Sequence, residues 1–353
     1  MAKFQKAKII IFLVGSMLLI TFTFYFYQIV YTPNILVDQT DRLFVIKSGT
    51  TYRQVLSDLD KQRFVNDMVS FGFLARLKNF DRSIQPGRYL LRRNMTNLAA
   101  IDALSVGRRE LVSITFTNVR LLSELDERIT RNTGVTPDEF QDALQDFAGD
   151  NMEGFTRENI LAMFIPNTYQ VYFNVVPEEL VERMHSEYKR FWTEERKGKA
   201  TAMGLTPIEV SILASIVQAE TIKASEASTV AGLYINRLKK GIPLQADPTL
   251  VYAVGDFSIK RVLNEHKEVD SPYNTYKHAG LPPGPINMPA IFNIDAVLNF
   301  EQSNYIYMCA REDFSGYHNF ASNLTAHNAN AAKYQRALSI EQRKGAALRK
   351  KKK

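Results

Sequence analysis

The stretch TPIEVSILASIVQAE (206–220) spells out the start of a helix and its buried face. Thr206 can cap, Pro207 falls at N1 where a missing N–H costs nothing, and Glu209 at N3 closes a capping box. Apolar side chains at Ile208, Ile212, Leu213, Ile216 and Val217 form the stripe of a helix facing a core, and the next place on that stripe is Glu220. A carboxylate there is desolvated unless it faces a cleft, and desolvation favours its protonated form. Such a group can act as a general acid near neutral pH. The alternative is a helix that ends at Glu220, with the carboxylate emerging into water or pairing with a cation such as Arg237.

Working outward from this helix, Glu194–Ala200 (EERKGKA) reads as a polar connector. Before it, Val112–Phe116 reads as a strand opening a larger α+β domain, with helices expected over Leu121–Thr133, Pro137–Phe147 and Glu178–Trp192. Further upstream lies a strand at Leu43–Ile46, then a turn at Ser48-Gly49. A helix opened by Thr51 with Gln54 in a capping box follows, then a helix over Val69–Leu77. Pro86-Gly87 punctuates before a returning strand at Arg88–Leu91. Strand, two helices, strand is the plan of a compact binding module. No internal repeat is visible.

At the N-terminus, the 29 residues from Ile9 to Val37 carry no charge, and Ile9–Tyr27 (IIIFLVGSMLLITFTFYFY) is nearly all apolar. That is close to the ~20 residues a helix needs to cross a bilayer. Lys3, Lys6 and Lys8 precede the span and Asp38 and Asp41 follow it, so residues 1–8 are expected inside, 9–30 in the membrane and 38–353 outside. Tyr25, Tyr27 and Tyr31 would form the outer aromatic belt. A cleaved signal peptide would need a shorter apolar core ending in small residues, and Phe24-Tyr25-Phe26-Tyr27 stands in that place.

Composition fits a globular body: 45% of the 353 residues are hydrophobic and 23% charged. The formal net charge of +7 resides entirely in residues 343–353, and residues 1–342 sum to zero. A basic tail can meet nucleic acid, acidic lipid or an anionic polymer, or simply form a solvated, disordered end; helix-turn-helix chemistry does not follow from it, and no nucleic-acid partner is expected. The one cysteine, Cys309, excludes an intramolecular disulfide framework and a multi-thiolate zinc site. His318 and His327 are nine residues apart, which does not match a helical zinc pair, so no metal is expected. His327 reads as an orienting or structural hydrogen-bonder.

Downstream of Glu220, turn-forming, aromatic and amide-rich segments crowd together: LQADPT (244–249), YNTY (273–276) and GLPPGPI (280–286), followed by HNFASNLTAHN (318–328). Aromatic faces and short polar side chains suit a saccharide, whose rings offer apolar faces and many hydroxyls. The alternative for Pro282 to Pro285 is that they only fix turns.

With LASIVQAET (213–221), these blocks in this order and spacing resemble the endolytic murein transglycosylase family, the YceG-like group. The resemblance covers about residues 110–340, within a catalytic domain expected over 110–342, and the 43–107 segment is similar to the LysM-like module that such proteins carry after one membrane anchor. It implies cleavage of peptidoglycan between N-acetylmuramic acid and N-acetylglucosamine within strands, leaving a 1,6-anhydro sugar, without a cofactor. It also implies a bacterial cytoplasmic membrane location; the sequence itself is silent on protein partners, wall-synthesis enzymes being the natural neighbours of an anchored glycan cutter.

Glu220 matches the family's catalytic glutamate, acid first and then base. Gln218 stands where many relatives have another carboxylate, and Glu226 matches a further family position. Asp247, Thr249, Tyr273, Asn274, Tyr276, His318 and Asn323 are carried over as residues lining the glycan cleft. Pro166-Asn167-Thr168-Tyr169 resembles a family block in which asparagine here replaces aspartate, so a role that needs charge at 167 is in doubt. Two rival functions stand beside this one. A muramidase would use Asp247 as base or nucleophile with Glu220 as acid, and a non-catalytic wall-binding scaffold would need no intact acid.

Overall fold

The computed structural model describes residues 2–47, 49–106 and 111–351. Ser48 of the expected turn, and the domain limits expected at Gly107 and Glu110, lie outside the described residues. The chain divides into two compact units. The first comprises Met1–Ile114, Thr130–Thr136 and Gln170–Leu180, and the second Thr115–Ile129, Pro137–Tyr169 and Val181–Lys353.

The first unit starts with α1 (Ala2–Tyr31), within which Ala7–Tyr31, 25 residues of mean hydropathy 2.4, is long and apolar enough to cross a membrane. There follow β1 (Pro33–Ile35), β2 (Arg42–Ile46), α2 (Tyr52–Lys61), α3 (Met68–Leu77), β3 (Gly87–Leu91), β4 (Met95–Thr96) and α4 (Asn97–Val106). β2 and β3 pair antiparallel, Arg42 opposite Leu91 and Ile46 opposite Gly87. Alternation along them turns Phe44, Ile46, Tyr89 and Leu91 inward onto Val55, Leu59, Phe71 and Leu74 of the two helices.

The Thr51–Gln54 capping box forms with both halves present, and Asp67 Oδ1 caps α3 by accepting from Val69 and Ser70 N–H. Asn34 and Asn97, both buried, tie the unit together. Asn34 Nδ2 donates to Asn97 Oδ1 (2.7 Å), and Asn97 Nδ2 donates to the carbonyl of Ile29 near the end of α1 (2.9 Å).

Next come β5 (Leu111–Phe116), α5 (Leu122–Thr130), α6 (Pro137–Gly149) and β6 (Asn167–Tyr172), β5 and β6 pairing as a two-stranded ribbon. α7 (Pro177–Phe191) leads to α8 (Glu194–Ala202). The segment expected as a polar connector is therefore a helix. Thr193 caps it, Lys197 pairs with Glu194 and Lys199 with Glu195 at helical spacing (3.0 Å each), and Ala200 is buried. The helix expected to reach Thr133 stops at Thr130.

α9 (Pro207–Glu220) is the centre of the second unit. Its capping box is formed: Glu209 N–H donates to Thr206 Oγ1 (3.2 Å) and Thr206 N–H to Glu209 Oε2 (2.7 Å). Ile208 and every residue from Val210 to Val217 are buried, so the helix is enclosed on all sides rather than along one stripe. α8 packs on it, as do α10 (Ala227–Lys239), α11 (Asp247–Val254) and α12 (Ile291–Leu298). Each aliphatic side chain buried here contributes about 1.5–3 kcal/mol.

Two features let the surrounding loops approach. Gly232 of α10 accommodates the carbonyl of Glu301, which a Cβ would overlap, and Ser215 of α9 holds the 286–287 loop. Ile286 N–H donates to Ser215 Oγ (3.0 Å) and Asn287 Nδ2 to the Ser215 carbonyl (2.9 Å).

The unit closes with the antiparallel pair β7 (Tyr307–Ala310) and β8 (His318–Ala321), followed by α13 (Leu324–Lys351). β7 starts two residues later than the strand expected at Tyr305–Cys309. The basic tail continues α13 as helix to Lys351 instead of forming a disordered end. Lys and Arg are good helix formers, and cations suit a helix C-terminus.

Candidate active site

Glu220 is the last residue of α9, and Thr221 takes the chain into extended backbone. Its carboxylate is half-buried, and Oε1 accepts a hydrogen bond from the Tyr234 hydroxyl of α10 at 2.6 Å. Burial pushes the Glu220 carboxyl up from 4.5 to about 7; the Tyr234 hydrogen bond opposes that rise and the charge of Asp247 adds to it. With Oε1 occupied by Tyr234, Oε2 is left to carry the proton of the neutral acid. Burial and the Glu220 charge in turn drive the Tyr234 hydroxyl well above its ordinary value, so it keeps its proton and donates it to Oε1.

The alternative pairing with Arg237 is not formed. Arg237 is buried and its donors are committed elsewhere: Nε and Nη2 to the Pro243 carbonyl (2.9 and 2.7 Å), Nη1 to the Ile306 carbonyl (2.8 Å) and Nη2 to Gln245 Oε1 (2.6 Å). It staples the loop ahead of Asp247 to the start of β7. Asp247, at the exposed first turn of α11, accepts from the Tyr276 hydroxyl through Oδ1 (2.6 Å).

Glu220 and Asp247 both border two cavities. One of about 720 Å³ is bounded also by Arg120, Tyr252, Phe257 and Asn287, and one of about 490 Å³ by Tyr276, Tyr307, His318 and His327. The carboxylates therefore stand where two lobes of one cleft meet, a placement suited to a chain-like ligand with its reacting bond at the junction.

The remaining carried-over residues are divided among the cleft, the interior and the start of α13. Tyr276 and His318 line the smaller lobe beside Glu220. Tyr273 stands behind the larger one, its ring 4.7 Å from that of Tyr252. Thr249 and Asn274 do not reach the cleft, because both are fully buried and their polar atoms are used inside the protein. Thr249 Oγ1 donates to the Ala246 carbonyl (2.7 Å) and meets Thr275 Oγ1 (2.8 Å). Asn274 Nδ2 donates to the carbonyls of Lys267 and Val269 (2.9 Å each). Asn323 starts α13, its Oδ1 accepting from Ala326 N–H. Asn167 is exposed on β6 and its Oδ1 accepts from Thr168 N–H.

His327 stacks on Tyr307 (5.2 Å) instead of orienting a neighbour, and its Nδ1 has no hydrogen-bond partner among the described residues. Glu226, only 5% exposed, is a clamp. It accepts from Thr221 Oγ1 (3.1 Å), His318 N–H (2.7 Å) and His318 Nδ1 (2.9 Å), joining the end of α9 to β8.

The roles of two residues at the centre could not be read from the sequence. Tyr234, the direct partner of Glu220, lies on the buried face of α10 and reads there as core; its hydroxyl was the available signal, since a buried phenol needs a partner. Gln218 is a four-way staple. Nε2 donates to Asn287 Oδ1 (2.9 Å) and the Met288 carbonyl (3.2 Å), while Oε1 accepts from Ala290 N–H and Asn293 Nδ2 (2.7 Å each). No carboxylate could make the first two bonds.

Comparisons with known proteins agree with this architecture. A protein named endolytic murein transglycosylase from Bacillus subtilis is 26% identical over 82% of this chain and 83% of its own length. A protein of the same name from Streptococcus pneumoniae is 25% identical over 93% of this chain, which spans 65% of that longer relative. The crystal structure of a yceG-like protein from Listeria monocytogenes superposes with a TM-score of 0.53 at 22% identity, over 82% of this chain and 98% of that one, which bears on the fold alone. The family model described as YceG-like matches residues 44–333, both the strand-helix-helix-strand segment and the cleft. The chain belongs to the YceG-like family.

Proposed function

We propose that the protein is a membrane-anchored endolytic lytic transglycosylase of peptidoglycan, with Glu220 as its one acid and base. The observation that carries this is a carboxyl raised to about 7 at the junction of two cleft lobes. A strand lying through both lobes would present its MurNAc–GlcNAc bond to Glu220. The acid gives its proton to the glycosidic oxygen as the bond from MurNAc C1 breaks, and the GlcNAc 4-hydroxyl leaves. The resulting carboxylate takes the proton of the muramyl 6-hydroxyl, whose oxygen closes on C1. Atoms balance without water, and the new end is a 1,6-anhydro sugar. This is the acid-then-base exchange of retaining glycosidases with an internal alcohol as acceptor. Tyr234 holds Oε1 throughout, which fixes the carboxyl plane.

Anchoring by α1 with its N-terminus inside follows from the lysines before it and the aspartates after it. The β2–α2–α3–β3 segment is assigned as the LysM-like, wall-gripping module. Its topology and a groove beside Tyr52, Phe73, Arg76 and Leu77 support that assignment.

The test is mass spectrometry of the muropeptides that the detergent-solubilised full chain releases from purified peptidoglycan, beside Glu220→Gln. Anhydro ends that fall at least ~100-fold in the variant are the expected result, at the low end of what a general acid contributes. Reducing ends would instead assign a muramidase, in which Asp247 beside Glu220 serves as base or nucleophile. No product from either protein would favour a wall-binding scaffold.

A further inference from the structure

The larger lobe of the cleft carries three cations that the chemistry at Glu220 leaves unused. Arg120, Lys260 and Arg261 line it, all three are exposed, and none forms an ion pair among the described residues. Arg120 is the best fixed of them. Its guanidinium carbon lies 4.3 Å from the centre of the Phe257 ring, Phe257 packs 6.3 Å from Tyr252, and Tyr252 packs on Tyr273. Stacking sets the plane of the guanidinium and leaves its edge donors open, the arrangement that grips a carboxylate two bonds at a time.

The acids of the same lobe do not neutralise these cations in pairs. Glu124 Oε2 accepts from the Arg120 backbone N–H (3.1 Å), Asp247 is held by Tyr276, and Glu220 is pushed toward its neutral form. The smaller lobe differs, because its one arginine, Arg237, is consumed by carbonyls and Gln245.

We propose that the larger lobe is an anion subsite for the peptide stems of the glycan strand, with Arg120 as the anchoring residue and Lys260 and Arg261 as supporting charges. The inference rests on the glycan reading above and adds to it a preference for strands that still carry their peptides. In an intact strand the sugars are neutral and the muramyl lactyl carboxyl is tied up in an amide, so the free carboxylates belong to the stem. A cleft built only for sugar would have no use for three open cations.

The experiment measures binding, so it does not depend on turnover. Fluorescence anisotropy compares the detergent-solubilised full chain carrying Glu220→Gln on two ligands: labelled peptide-bearing strands, and the same strands after their carboxylates are converted to amides. The expected result is about tenfold tighter binding of the charged strands, the scale of one charged hydrogen-bonded contact. That ratio should collapse toward one when Arg120→Gln is added, remain intermediate with Arg120→Lys, and shrink as salt is raised.

Equal affinity for the two ligands would overturn the proposal. So would a preference that survives in the triple variant Arg120→Gln, Lys260→Gln, Arg261→Gln. A wild-type chain that cleaves nothing while still preferring charged strands would refute the lytic reading and uphold the subsite.

Discussion

Replacing the proposed catalytic acid should make the protein more stable, and only above a defined pH. In the folded chain the Glu220 carboxyl titrates near 7, against 4.5 for an ordinary glutamate. Between those values the folded state holds the proton and the unfolded state does not. Stability is therefore lost as pH rises through that window, is untouched below 4.5 and is fully reduced above 7. The full difference corresponds to about 3 kcal/mol, and partial exposure of the group brings the expected effect to about 1–3 kcal/mol.

Glutamine is neutral at every pH, and its Oε1 can keep the hydrogen bond from Tyr234. Glu220→Gln should then match the wild type at pH 4.5 and exceed it at pH 8, with Tm raised by roughly 2–4 °C per kcal/mol in a body of this size. Trp192, the sole tryptophan and fully buried in the second unit, reports that unit's unfolding by fluorescence. A Tm difference that is the same at both pH values, or a wild type that is the more stable at pH 8, would refute the argument that Glu220 is desolvated.

Three other substitutions probe the surroundings. Tyr234→Phe removes the donor that holds the Glu220 carboxyl down, so the descending limb of the kcat/KM profile should move to higher pH; a limb that stays put or moves down contradicts that role. Gln218→Glu faces Asn287 Oδ1 and the Met288 carbonyl with no proton to offer and should lose about 1–3 kcal/mol in denaturant titration, whereas wild-type stability would mean the loop can turn away. Gly284→Ala places a methyl group on the carbonyl oxygen of Glu158, so a cost of about 1–3 kcal/mol and a drop in activity are expected, and a neutral result would show that the 280–286 loop yields.

Local signals were legible in the sequence where a few adjacent residues settle the structure. The Thr51 and Thr206 capping boxes formed as written, because the cap and its partner three residues on, Gln54 or Glu209, act within one turn. The α8 segment was misread because it lacks an apolar face. Its helix rests on Thr193 and on ion pairs one turn apart, which hydrophobic periodicity does not register.

At the site, Glu220 could be picked out because a charge interrupts an apolar stripe. Tyr234 could not be joined to it, since the two meet only when α10 folds back onto α9. Thr249 and Asn274 mislead in the opposite direction. Their residue types suit a sugar, but a buried hydroxyl or amide satisfies itself on the nearest backbone, and the sequence does not say which groups are free.

The junction after α1 has a mechanical consequence. Only Thr32 separates the end of the helix from β1, Val30 is buried in the core of the first unit, and Asn97 grips the Ile29 carbonyl. A flexible tether would let the module wander over a volume that grows with the tether's length. Without slack, a bilayer that holds α1 becomes a ruler: the first unit inherits the tilt of the helix and sits at one height above the lipid surface. Whatever ligand that unit binds would then be met in a layer next to the membrane, and not at any depth beyond it.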